Sequence, residues 1–389
     1  MKSLCSTIFL AVGAPASNFC RITDHNPHPR IVGLGTALPP HCATQAHIAR
    51  FFSRVAQAQG GASARWLRYI EAIARRSGID ARYSVLADYS QAEAEDFDFY
   101  PKNWALQPFP STAQRMKVYE QEALPLAEQA AGRALTQSGL RAADITHLII
   151  TTCTGFFAPG PDVLLGQRLG LRADVQRLQL GFMGCYAGVT GLRTAAQILR
   201  ADPQARVMMV SVELCSLHFQ RALEVPTLVS NFLFGDGAGA AVLSCEGSGP
   251  QIRAARTALA GDTIDQMGWR IGDHGFEMQL SEKVPAHLQR EVGPFVEDLS
   301  QAAGFSPQEV KGWAIHPGGR RVVESVGKAQ RLAPSDLAAS LGVLRRVGNV
   351  SSATVLFVLQ ALVQDGWRGP GLALAFGPGL TMEGLALVH

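Results

Sequence analysis

The chain has 389 residues, of which 47% are hydrophobic and 17% charged, and its formal net charge is only +3. That length buries a large core, as two domains or one fused unit. The charge balance implies no nucleic-acid or other polyanion partner, and no apolar run reaches the length of a membrane span. Seven cysteines, Cys5, Cys20, Cys42, Cys153, Cys185, Cys215 and Cys245, are odd in number and contain no Cys-x-x-Cys pair. They read as reduced thiols of a cytoplasmic protein and not as a disulfide framework or zinc site.

Residues 1–29 form an N-terminal extension. Lys2 and the apolar stretch Ile8 to Ala14 faintly imitate a signal peptide, but the stretch is short and broken by polar residues. A partly disordered leader is the better expectation, and His25-x-x-His28 within it is a weak metal signal. Folded sequence begins at Arg30-Ile-Val-Gly-Leu-Gly35, a short strand. Residues 45–80 are largely helical, and the acidic, aromatic, Pro-rich stretch 88–111 reads as an irregular surface segment. A helical period runs through Leu124, Ala127, Ala131 and Leu135 and stops at Gly139. His147 to Thr152, Val207 to Val212 and Ala240 to Leu243 are apolar runs of strand length. Helices and strands alternate, which argues an α/β fold. The pairs Arg75-Arg76, Arg320-Arg321 and Arg345-Arg346 read as solvated faces, with phosphate binding the alternative for a pair at a pocket mouth.

The chain echoes itself. The strand before Cys153-Thr-Gly resembles the strand before His316-Pro-Gly. Gly184-Cys185-Tyr-Ala-Gly188 resembles Gly348-Asn349-Val-Ser-Ser-Ala353. Gly235-Asp-Gly-Ala-Gly239, read as a tight turn, resembles Gly377-Pro-Gly379. The first two offsets nearly agree and the third is shorter, which places an insertion in the first half. Two duplicated α/β halves, 30–245 and 246–389, related by a pseudo-dyad, bring equivalent loops together. Cys185, His316 and Asn349 then share one pocket.

Cys185 lies at a sharp entry into a helix, where free N–H groups and the helix dipole favour a thiolate. His316 follows an apolar strand and is the candidate base. Asn349 is placed to donate to an oxyanion, with His316 as second donor. Singly, each is more often a core or turn residue; three at equivalent turns of a duplicated unit point to nucleophilic acyl chemistry.

With Phe234-Gly-Asp-Gly237, Ile315-His316-Pro-Gly-Gly319 and Phe376-Gly-Pro-Gly-Leu-Thr381 added, the chain resembles the type III polyketide synthases, the chalcone synthase-like family, over most of residues 30–389. The resemblance implies a thiolase-like fold layered α-β-α-β-α and a homodimer. It implies loading of an acyl-CoA starter on Cys185 and extension by decarboxylative condensation with malonyl-CoA, without a metal or redox cofactor. It makes Cys185, His316 and Asn349 the catalytic residues, Phe234 and Phe276 the gatekeepers, and Arg76 the remaining basic CoA contact, since Tyr69 and Ala72 occupy two other usual basic positions.

Cys153 and Cys215 stand where plant members often carry threonine, and Ala158 stands where a methionine commonly reaches into the partner's cavity. These small side chains suit a long aliphatic starter. Met267, where plant chalcone synthases have glycine, narrows the pocket against a bulky aromatic starter. Ring closure is expected to depend on the surroundings of Cys153, Glu213 and Ser351. A bacterial-type enzyme making an alkylpyrone or alkylresorcinol from a fatty acyl starter is the expectation. The rivals are a ketoacyl-ACP synthase III, disfavoured by Gly184 and Pro317-Gly-Gly319, a papain-like cysteine protease with the same Cys, His, Asn order, and a non-catalytic partner subunit.

Overall fold

A computed structural model describes residues 28–60 and 62–389. The readings of the leader and of His25 lie outside the described residues. The first half runs β1 (Arg30–Ala37), β2 (His41–Thr44), α1 (Gln45–Ala58), α2 (Ala64–Arg76), β3 (Ala81–Ser84), α3 (Thr112–Ser138), β4 (His147–Thr152), α4 (Pro161–Leu169), β5 (Gln176–Gly181), α5 (Ala187–Ala201), β6 (Val207–Leu214), α6 (Val225–Leu233) and β7 (Asp236–Ser244). The second runs β8 (Gln251–Leu259), β9 (Met267–Gly272), β10 (Gly275–Leu280), α7 (Val284–Ala303), β11 (Gly312–Ile315), α8 (Arg320–Gln330), α9 (Ala338–Val347), α10 (Thr354–Gln364), β12 (Pro370–Gly377) and β13 (Thr381–Val388).

The duplication is visible in the strand order. Outward from the middle, the first half pairs β1-β7-β6-β4-β5, and the second pairs β8-β13-β12-β11. In both, the first two pairings are antiparallel and the next is parallel. The halves join edge to edge through a single pair, Arg30 with Gln251.

Side-chain alternation builds the layers. Leu148, Ile150, Met208 and Val210 face one core together with Ala127, Ala130 and Ala134 of α3. Ile149, Val207 and Met209 face the opposite way, into a core shared with Leu192 of α5, Leu356 of α10 and Ala314 and Ala373 of the second half. Trp313, Ile315, Leu372 and Leu374 then face a third core built on α7 and α8. The layers are therefore helix, sheet, paired helices, sheet, helix. The helix before β4 ends as its sequence dictates: Ser111 caps α3 in a reciprocal box with Gln114, and Gly139 closes it at φ 71°.

Two expectations are corrected. Residues 88–111 are irregular but not superficial. Phe97, Tyr100 and Leu106 are buried, because this stretch supplies the aromatic packing around Phe51 that α1 cannot complete alone. Gly235-x-Gly-x-Gly239 is not a turn: Gly237 and Gly239 lie inside β7, which is buried along its whole length. A Cβ on Gly239 would stand 2.9 Å from Leu356 Cβ, so the glycine lets α10 lie directly on the sheet.

Candidate active site

The site forms where the paired central helices begin. After β5, the chain turns through Phe182 and Gly184, both at positive φ, and Cys185 sits in the turn before α5. A Cβ on Gly184 would lie 2.7 Å from Pro378 Cδ, and one on Gly377 would lie 2.5 Å from Tyr186, so the Phe376-Gly-Pro-Gly segment closes directly over the thiol's turn. Asn349 occupies the equivalent place before α10. Its side-chain oxygen accepts from Ser351 N at 2.8 Å and from Thr354 Oγ1 at 3.2 Å. With the oxygen committed, the amide nitrogen is the group that faces Cys185 Sγ, at 3.9 Å. The Asn349 backbone also brackets Phe234: its N–H donates to Leu233 O at 3.0 Å and its carbonyl accepts from Gly235 N at 2.9 Å.

A cavity of about 570 Å³ opens on this turn and is lined by Cys185, Cys153, Cys215, Ser351, Met267 and both Phe234 and Phe276, among others. His316 is fully buried at the end of β11, the place that Cys153 occupies on β4, and it is not on the cavity wall. Among the described residues neither of its ring nitrogens has a hydrogen-bond partner. Glu213 is not on the wall either: it lies behind Cys153 at the end of β6. It accepts from Thr154 Oγ1 at 2.7 Å, from Cys153 N at 3.0 Å and from Ser352 Oγ. Cys153 Sγ bridges from Glu213 to Ser351 Oγ, 3.1 Å away. Ala158 is exposed on the loop before α4, and Arg76 is exposed at the end of α2; neither lines the cavity.

The electrostatics weigh against the expected resting thiolate. Burial pushes the Cys185 thiol up to about 11, against hydrogen bonds from Ser351 and Asn349 that pull it down. Burial alone pushes the His316 imidazole down to about 3. Both shifts favour the neutral forms of the two groups. The Cys153 and Cys215 thiols are likewise raised well above the usual thiol value, by burial first and then by Glu213. Among the described residues no group of three or more His, Cys, Asp or Glu side chains could hold a metal ion. Among the described residues no helix is long and apolar enough to cross a membrane.

Sequence reading missed His218. This histidine lines the cavity beside Phe276, between Leu217 and Phe219 just beyond β6. Its one available signal was a polar ring in a run that the cavity wall shares.

Duplicated layers, with Cys185 and Asn349 meeting at equivalent helix starts, fit a condensing enzyme of the thiolase-like fold. The comparisons are specific within that class: the chalcone and stilbene synthase N-terminal domain matches residues 17–250 and the C-terminal domain matches residues 251–389. The chain belongs to this family, the type III polyketide synthases, and is an acyltransferase-type condensing enzyme. It is 34% identical over 362 residues, 91% of each chain, to 1,3,6,8-tetrahydroxynaphthalene synthase of Streptomyces peucetius. It is 34% identical over 282 residues, 70% of this chain and 72% of the relative, to the alpha-pyrone synthesis polyketide synthase-like Pks18 of Mycobacterium tuberculosis. The crystal structure of PKS-I from the brown alga Ectocarpus siliculosus matches with a TM-score of 0.86 and 28% identity, covering 93% of this chain and 98% of that one. Family membership sets aside the ketoacyl-ACP synthase III and papain-like readings.

Proposed function

We propose that this synthase loads a fatty acyl-CoA starter on Cys185 and extends it with malonyl-CoA towards an alkylpyrone or alkylresorcinol. The observation that carries the catalytic assignment is the Asn349 amide, held with its nitrogen 3.9 Å from Cys185 Sγ. As the starter arrives, the Cys185 proton passes to His316, the sulfur bonds the acyl carbon, and the departing CoA sulfur takes the proton. Malonyl-CoA then loses CO₂. The electron pair of the broken C–C bond forms an enolate, and Asn349 Nδ2–H with His316 Nε2–H donates to its oxygen. A neutral imidazole suits that donor role. Phe234 and Phe276 offer an apolar wall that disfavours the carboxylate. The enolate carbon bonds the acyl carbon, and the Cys185 sulfur leaves and recovers a proton. Atoms and electrons balance among the thioesters, CO₂ and CoA, so the chemistry calls for no cofactor.

Arg76 and its exposed neighbour Arg75 on α2 are assigned to the CoA phosphates, and the enzyme is taken as a cytoplasmic homodimer. The aliphatic starter is supported by the small side chains of Cys153 and Cys215 on the cavity wall and by the likeness to Pks18. Incubation with acyl-CoAs of graded length and labelled malonyl-CoA, with mass spectrometry of products and of Cys185, tests the reading. A long-chain acyl-enzyme and pyrone products are expected; preference for coumaroyl-CoA overturns the starter, and no acyl-enzyme on Cys185 overturns the loading role. Light scattering is expected to give twice the 41.6 kDa chain mass.

A further inference from the structure

We infer that His218 is a positioning residue for Phe276, holding the second aromatic wall of the cavity to the loop that follows β4. The gatekeeping consequence rests on the function proposed above; the positioning itself does not.

Phe276 stands on a weakly supported element. It is the second residue of β10, which pairs only with β9, in a two-stranded sheet apart from the main one. Such a hairpin is marginal by itself and takes its place from what its side chains and turn touch. At the turn, Thr112 N donates to Asp273 O at 2.8 Å, and Gly275 N donates to Thr112 Oγ1 at 2.8 Å. On the cavity side, Gln220 Nε2 donates to His274 O at 3.0 Å and to Phe276 O at 3.4 Å, and two aromatic rings add to the attachment. Trp269 Nε1–H on β9 donates to Cys153 O at 2.7 Å. His218 does the same beside it, its ring centroid 5.7 Å from that of Trp269: its Nε2 lies 2.8 Å from the carbonyl of Thr154, the next residue, and its Nδ1 lies 3.0 Å from Phe276 N.

These partners fix the tautomer. A carbonyl only accepts and a backbone N–H only donates, so the ring carries its one proton on Nε2 and is neutral. Burial, which holds this imidazole down to about 3, keeps it so. The ring also lies flat on the Phe276 side chain, with centroids 4.1 Å apart and planes 12° apart. Phe276 is thus gripped at its backbone and at its ring by one residue. The grip continues inward, because Thr154 Oγ1 donates to the buried Glu213 and accepts from Leu214 N at 2.9 Å. One hydrogen-bonded chain, Glu213–Thr154–His218–Phe276, sets the distance between the aromatic wall and the strand ends that carry Cys153 and Glu213. Losing it lets the wall retreat from the carboxylate of malonyl-CoA, without touching Cys185.

Three variants separate the contacts. H218L removes both hydrogen bonds and the flat ring, H218Q keeps one donor and one acceptor, and H218F keeps the ring alone. In H218L the KM for malonyl-CoA is expected to rise about tenfold, and H218Q is expected to restore more of it than H218F. A merely structural loss lowers the active fraction and leaves KM unchanged, so an unchanged KM in folded H218L overturns the inference. A second measurement needs no turnover. In protein labelled with 4-fluorophenylalanine, the ¹⁹F resonance assigned to Phe276 by F276L is expected to shift or broaden in H218L. An unchanged resonance overturns the positioning whatever the kinetics. Failure of the wild type to turn over malonyl-CoA counts against the proposed function alone.

Discussion

The Asn349 side chain presents its nitrogen and not its oxygen to Cys185, because Ser351 N and Thr354 Oγ1 already hold the oxygen. The orientation is dictated by the turn before α10, where Ser351 adopts a left-handed backbone at φ 45° that places its N–H on that oxygen. An amide so committed is a donor aimed at the Cys185 sulfur before any substrate arrives.

N349D isolates that donor. The carboxylate keeps an acceptor for Ser351 and Thr354 and replaces the N–H group by oxygen. Malonyl-CoA decarboxylation is expected to fall about a hundredfold or more, the usual effect of losing one oxyanion donor. Acyl transfer to Cys185, followed by intact-protein mass spectrometry, is expected to survive. Equal loss of both steps would mean that Asn349 serves only the fold.

The resting protonation state is checked by alkylation. With the Cys185 thiol up at about 11 and the His316 imidazole down at about 3, no imidazolium–thiolate pair is expected before substrate binds. The rate of Cys185 carboxamidomethylation, read from its peptide, is expected to climb continuously from neutral to alkaline pH as the thiolate fraction grows. A plateau beginning below neutral pH would show that the imidazolium–thiolate pair exists at rest.

Much of this site could be read from residue order, for a physical reason. A helix entry that carries a reactive side chain needs small residues around it, and Gly184-Cys185 and Gly348-Asn349 display that requirement. The strand pattern gave β4 and β11 with Cys153 and His316 at their ends, and the pairing order repeats in both halves. Desolvation was not legible: the helix dipole at Cys185 is a local property, whereas its surroundings are distant in sequence, with Pro378 packed on the turn at Gly184 and Ser351 hydrogen-bonded to the thiol. Nor was the grip of His218 on Phe276, 58 residues apart, because the ring stack depends on how a separate hairpin docks. Gly237 and Gly239 misled for a similar reason, since a glycine required by a neighbouring helix looks in sequence like a glycine required by a turn.

Asp236 ties the Ser216 loop to β3 by accepting from Ser216 N at 2.7 Å and Val85 N at 2.9 Å. Burial nevertheless pushes its carboxyl from 3.8 up to about 6. The native state therefore binds a proton that the unfolded chain does not between those values, and stability falls as pH rises from about 4 to about 6. Above that window both states are ionised and the penalty, on the order of 3 kcal/mol, is constant. In urea unfolding across this range, D236N is expected to be less stable overall, because its NH₂ faces a backbone donor, and to lack this part of the pH slope. An identical slope in both proteins would assign it to other carboxylates.

Gly188 governs the spacing of the two central helices. It lies one turn into the site from Cys185, and a Cβ there would stand 2.2 Å from Ser352 O and 3.0 Å from Val355 Cγ1. The first is a backbone atom of the turn that also carries Asn349 and Ser351, so no side-chain rotation relieves the clash. In G188A the beginnings of α5 and α10 must part, and the Cys185–Asn349 separation must grow with them. Overpacking of this kind costs about 1–3 kcal/mol of stability, measurable as a lower urea midpoint. The larger effect is expected in catalysis, because a displacement of about 1 Å between reacting groups lowers rates by about a hundredfold. Condensation should therefore fail under conditions where G188A is still fully folded by circular dichroism. Wild-type condensation rates in G188A would show that the two turns move together and that their spacing is set elsewhere.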